Sequence, residues 1–205
     1  MDAQDVYRVL LLLPVGGLLL VIMRNLVGVE TFGTFMPILI ALAFRQTKLL
    51  WGLIMFSLLV FLGLSVRLYF ERLKLLVVPR LASVLVVVVL LMAALSVLSH
   101  KLGLEKGLSV ALFPMVILTM TIERMSILWE ELGPAEALKQ GLGSLLVAAV
   151  AYLVMSIAYV EHLVFVFPEL ILLVLAATLM LGRYSGYRLL ELLRFRALIE
   201  KSDDF

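Results

Sequence analysis

Cysteine is missing from all 205 residues, and with it go disulfide scaffolds, thiolate metal sites and any cysteine nucleophile. Histidine occurs twice, at His100 and His162, too far apart and outside any HExxH setting for zinc. The aspartates, Asp2, Asp5, Asp203 and Asp204, are all terminal, so a pair of intramembrane aspartates is excluded. Neither a GxSxG elbow nor a phosphate-binding glycine loop is present. The chain is therefore not expected to be an enzyme, and no cofactor, metal or nucleic-acid partner is expected.

Charge is scarce too. Charged residues make up 16% and hydrophobic ones 64%, with a mean hydropathy of +1.17. A water-soluble surface cannot be covered from that supply. What charge exists gathers in short clusters that divide the chain into apolar stretches over 7–23, 34–44, 48–67, 78–99, 108–122, 140–159 and 163–182. A helix crossing the hydrocarbon layer needs about 20 apolar residues, and backbone polar groups in lipid must be satisfied within their own segment. The expected fold is all-α: a single polytopic membrane bundle of seven transmembrane helices over 1–205, with 183–205 as a cytoplasmic amphipathic tail. The second and fifth stretches are short for a span.

Lys and Arg set the orientation. With the N-terminus outside, only Arg8, Arg45, Lys48, Lys101 and Lys106 of the 17 basic residues fall on outer ends. The rest collect on the cytoplasmic side. MDAQDVYR has no basic n-region and no small-residue cleavage site, so it does not read as a signal peptide. An outside N-terminus without a signal suggests that another segment precedes it.

Internal symmetry comes next. Gly28-Val29-Glu30 through Thr34 leads into a short stretch with Pro37, and Gly103-Leu104-Glu105 through Ser109 leads into another with Pro114. Glu71-Arg72-Leu73 before Val78-Pro79-Arg80-Leu81 is matched by Glu161-His162-Leu163 before Phe167-Pro168-Glu169-Leu170. The second pair is offset further than the first, and the excess falls on 129–140, read as a surface insertion. Helices one to three would then correspond to four to six as an inverted repeat, a construction that transporters use.

Three glutamates are candidate ligand or substrate residues. Glu30 and Glu105 sit in the two glycine loops, which read either as membrane-dipping elements or as plain turns with Thr34 and Ser109 as N-caps. Glu169 interrupts the seventh stretch and is expected to face the bundle, as a solute contact or as a carboxylate paired with Arg45 or Lys48. Glu123, Arg124, Trp129, Glu130 and Glu131 form the richest polar cluster, read as an interfacial loop or as a docking site for a cytoplasmic protein. Arg183, Tyr184, Tyr187 and Arg188 are expected membrane-interface anchors, leading into an amphipathic run in which Leu189, Leu192, Leu193, Arg196 and Ile199 share a stripe.

VETFGTFMPILIALAF, ALFPMVILTMTIERMSILWEE, and FPELILL followed by GRYSGYRLLELLRFR resemble the seven-helix C-terminal module of bacterial inner-membrane proteins. In that family the module follows a periplasmic transglutaminase-like domain regarded as inactive. The resemblance covers essentially the whole chain. It implies a bacterial inner-membrane location with a periplasmic N-terminus and a cytoplasmic C-terminus, and with it the expectation that this chain is an excised membrane domain. It also implies genomic company with ATP-grasp ligases and protease-like proteins. It supplies no catalytic or binding residues. Two functions follow as expectations: a non-enzymatic module coupling the periplasmic domain to a cytoplasmic partner such as an ATP-grasp ligase, or a small-solute or peptide transporter built on the inverted repeat.

Overall fold

The computed structural model describes residues 3–47, 49–72, 77–101 and 112–183, and these are helical with short connections and no strand. Helix α1, Ala3–Val21, continues into a π-helical turn, Ile22–Val27. Then come α2, Met36–Thr47; α3, Leu49–Arg72; α4, Val77–Lys101; α5, Leu112–Leu132; α6, Pro134–Met155; α7, Ala158–Val166; and α8, Leu170–Gly182. The π turn ends at Gly28, whose φ of 93° only glycine adopts freely. There the N–H groups of Gly28 and Val29 both donate to the Met23 carbonyl at 3.0 Å, satisfying the end of the helix.

Tyr7–Val27, Leu49–Val66 and Pro134–Met155 are each long and apolar enough to cross a bilayer, and α7 with α8 makes a fourth such segment as a bent pair. Helix α2 and the Ala82–Ala94 part of α4 are shorter apolar helices. Only 22% of the first span and 28% of the other two is buried within the protein. Apolar surface left uncovered on that scale is solvated by lipid. Counting α1 with its π turn as one element and α7–α8 as another, the helices occupy the seven apolar stretches that charge marks off.

Three boundaries differ from the expectations. The fifth helix is not short: α5 has 21 residues and runs through the polar cluster to Leu132, because charge halts membrane burial without halting a helix. Residues 129–140 are not an inserted loop. Gly133 alone separates α5 from α6; its φ is 89°, its carbonyl accepts the Ala137 N–H at 3.1 Å, and Pro134 takes the first helical position, where a missing N–H costs nothing. The seventh stretch is not one helix either, since α7 and α8 meet at 108°. Pro168 disfavours helical geometry in the residue before it, and Phe167 accordingly has φ −122° and ψ 75°.

The chain forms two compact units, one from the residues up to Ile38 with those from Gly143 onward, the other from Leu39–Leu142. In the first, α1 packs on α7 and α8. Leu20, Ile38 and Val147 are buried together with Leu13, Met23 and Val29 against them. Gly16 permits this approach, as a Cβ there would lie 3.2 Å from Met155 Sδ and 3.3 Å from Ile38 Cγ2. In the second, α3, α4 and α5 pack mutually, and Phe44 meets Phe56 edge-on at 6.0 Å. Gly63 lies against Ile122 with no room for a Cβ. Compactness thus joins α3 to α4 and α5, a different division from the three-plus-three grouping of the expected repeat.

Candidate functional site

The polar contacts of the first unit concentrate on α1 and its neighbours. Near the start of α1, Arg8 Nη1 lies 3.7 Å from Glu161 Oε1 on α7. The same guanidinium sits 4.9 Å above the Phe165 ring, which also takes the edge of Tyr7 at 6.2 Å. Glu161 and Phe165 are four residues apart, so one face of α7 presents both to α1. Arg8, Glu161, His162 and Phe165 border a cavity of 240 Å³. At the far end of the same element, Asn25 Nδ2 donates to the Leu181 carbonyl on α8 at 3.3 Å. The first transmembrane element is thereby tied at one end to α7 and at the other to α8.

The segment after the π turn is pinned to α6. The Phe32 N–H donates to Ser144 Oγ at 2.9 Å in a buried position, and Thr31 Oγ1 donates to the Gly33 carbonyl at 3.2 Å. Beside Ser144, Gly143 carries no Cβ, and one built there would collide with the Glu30 carbonyl. Glycine is what lets this backbone lie on the helix. Pro37 falls in the first turn of α2, fully buried.

Between α1, residues 34–38 and α8 runs a groove of 790 Å³, walled chiefly by Pro14, Leu18, Ile38, Ile171, Leu172 and Leu175, with Arg24, Asn25, Thr34 and Thr178 as its polar members. Neither Glu30 nor Glu169 lines it. Glu30 is exposed on the 28–35 segment. Glu169 is exposed as well, contrary to the expectation that it faces the bundle. The break at Phe167–Pro168 moves it from a helix interior to the start of α8, where the partial positive charge of the helix N-terminus favours a carboxylate. Glu105 lies outside the described residues.

Glu123, Arg124, Trp129, Glu130 and Glu131 all belong to α5 and not to a loop. Glu123 and Trp129 are half-buried, while Arg124, Glu130 and Glu131 are exposed. The seven-residue spacing stacks Glu130 over Glu123 and Glu131 over Arg124 along the helix. Arg183 is exposed at the end of α8, its N–H donating to the Met180 carbonyl at 3.2 Å. Tyr184, Tyr187 and Arg188, with the rest of the tail, lie outside the described residues.

Sequence reasoning missed the Arg8–Glu161–Phe165 cluster, the Asn25–Leu181 tie and the Phe32–Ser144 bond. The spacing of Glu161 and Phe165 was visible, but which helix lies alongside is not a local property.

No curated protein and no solved structure matches the chain. The model of a family described as seven transmembrane helices usually fused to an inactive transglutaminase matches residues 1–199, and the chain belongs to that family.

Proposed function

From that membership we propose that the protein is a non-enzymatic membrane module that anchors a transglutaminase-like domain and couples it to a cytoplasmic partner. The family's usual fusion supports the anchoring role. The coupling role rests on one observation: the first transmembrane element is held by Arg8 to α7 and by Asn25 to α8. A domain joined ahead of α1 would pull on its Arg8 end. An ion pair and a ring contact of this exposure contribute about 0.5–1 kcal/mol each, small enough for a bound domain to rearrange them. Through α8 that motion reaches the tail, whose Arg183, Tyr184, Tyr187 and Arg188 act as anchors at the headgroup layer.

The membrane is the bacterial inner membrane, with the N-terminus periplasmic and the C-terminus cytoplasmic, as the distribution of Lys and Arg supports. The partner is an ATP-grasp ligase, docking on the end of α5 through Glu123, Arg124, Trp129, Glu130 and Glu131. Co-purification of the fused protein with that ligase tests this. Neutralising Glu123, Arg124, Glu130 and Glu131 together abolishes the complex; an undiminished complex overturns the docking assignment.

A second reading, a small-solute or peptide transporter built on the inverted repeat, is favoured by the broken α7–α8 pair with Glu169 at the break. Solute flux in proteoliposomes that disappears with Glu169→Gln would establish it over the first.

A further inference from the structure

We infer that the groove between α1 and α8 is a binding site for one anionic phospholipid of the surrounding bilayer, with an acyl chain along Pro14 to Val21 and the phosphate at Arg24. This goes beyond the coupling role and does not depend on it.

Length, lining and charge each point to that occupant. From Pro14 to Arg24 the groove follows α1 for ten residues, roughly 15 Å at the helical rise. That is about half the ~30 Å hydrocarbon thickness, the depth of a single leaflet. The deep part is apolar on both walls, Leu18 and Pro14 facing Ile171, Leu172 and Leu175. Gly17 opens into it: a Cβ there would meet no atom within 4 Å, whereas its neighbour Gly16 is closed off by Met155 and Ile38. The glycine pair thus packs on one side and leaves a channel on the other.

Charge is confined to one end. Arg24 is an exposed cation at the mouth, in the π-helical turn, a distortion that recurs at functional positions. Asn25 is engaged with Leu181 and closes the same end between α1 and α8. Thr34 is a further lining residue with a hydroxyl that can donate. An arginine set one leaflet's depth from the far end of an apolar slot matches a phosphodiester carrying acyl chains.

Native mass spectrometry of the full chain, equilibrated with mixed phosphatidylglycerol and phosphatidylcholine, tests the site. Phosphatidylglycerol is retained in preference to phosphatidylcholine. Arg24→Gln lowers that retention about fivefold, the worth of one arginine near an anionic surface. Gly17→Leu, whose side chain enters the open channel, removes the bound lipid of either kind. Lys139→Gln, at an exposed cation of α6, leaves retention unchanged. Equal retention of the two lipids overturns the assignment, as does retention that survives Arg24→Gln or an equal loss in Lys139→Gln. Conversion of a wild-type dimer to monomers by Gly17→Leu would show that a second copy fills the groove instead. Arg24→Gln alters only an exposed side chain, so it remains decisive if Gly17→Leu impairs folding.

Discussion

Ser144 accepts a hydrogen bond from the backbone N–H of Phe32 at 2.9 Å, inside the protein and across more than half the length of the chain. There a side chain on α6 supplies the partner for a backbone N–H of the irregular 28–35 segment. Ser144→Ala leaves that N–H unsatisfied and lowers stability by about 1–3 kcal/mol. Gly143→Ala drives a methyl into the Glu30 carbonyl and costs at least as much. Unfolding of both variants in mixed detergent micelles measures the losses. A Ser144→Ala variant as stable as wild type would mean that the segment is held by other contacts.

Arg8 and Glu161 offer a smaller effect. The pair is separated by 3.7 Å, with the arginine side chain 43% exposed, so solvent screens it and its coupling energy should stay below about 1 kcal/mol. A double-mutant cycle of Arg8→Met and Glu161→Gln yields that coupling, and it shrinks as salt is raised. A coupling of several kcal/mol would show that lipid or protein shields the pair from water.

Gly63 and Ile122 should compensate one another. Gly63→Ala alone places a methyl on Ile122 Cδ1, in a side chain with no exposed surface, and overpacking of this sort costs about 1–3 kcal/mol. Ile122→Val removes the atom that is struck. In that background Gly63→Ala becomes neutral or stabilising by up to about 1 kcal/mol, the helix-propensity gain of alanine over glycine. A cost of the same size in both backgrounds would contradict the contact.

Pro168 should control the bend between α7 and α8. Because the chain has no cysteine, a label pair introduced at exposed Tyr159 and Leu179 reports one distance without background. Bent by 108°, the two positions lie well inside the roughly 30 Å that a straight helix of that length would span. Pro168→Ala, which frees Phe167 to be helical, lengthens the distance toward that value. An unchanged distance would assign the bend to packing and not to proline.

The helix punctuation was written in short sequence signals, even where their meaning was misjudged. Gly133-Pro134 marks the α5–α6 turn and Pro168 the α7–α8 break, both governed by φ limits of the residues concerned. Over 129–140 polar composition points to a surface insertion, while the glycine and proline within it mark a helix junction. At Glu169 the signal fails differently: apolar neighbours on both sides suggest a helix interior and conceal the break immediately before it.

Composition and the spacing of charge were enough by themselves to establish an all-helical membrane protein with seven apolar segments, since lipid imposes length and backbone satisfaction on any chain that crosses it. Tertiary structure alone decided that Arg8 meets Glu161, that Ser144 holds Phe32, and that Gly17 opens a groove while Gly16 closes one. Lipid satisfies the outward face of every helix about equally well, so hydrophobic periodicity is weak here. Which faces turn toward each other is settled by close packing and by a few polar pairs between residues distant in the chain.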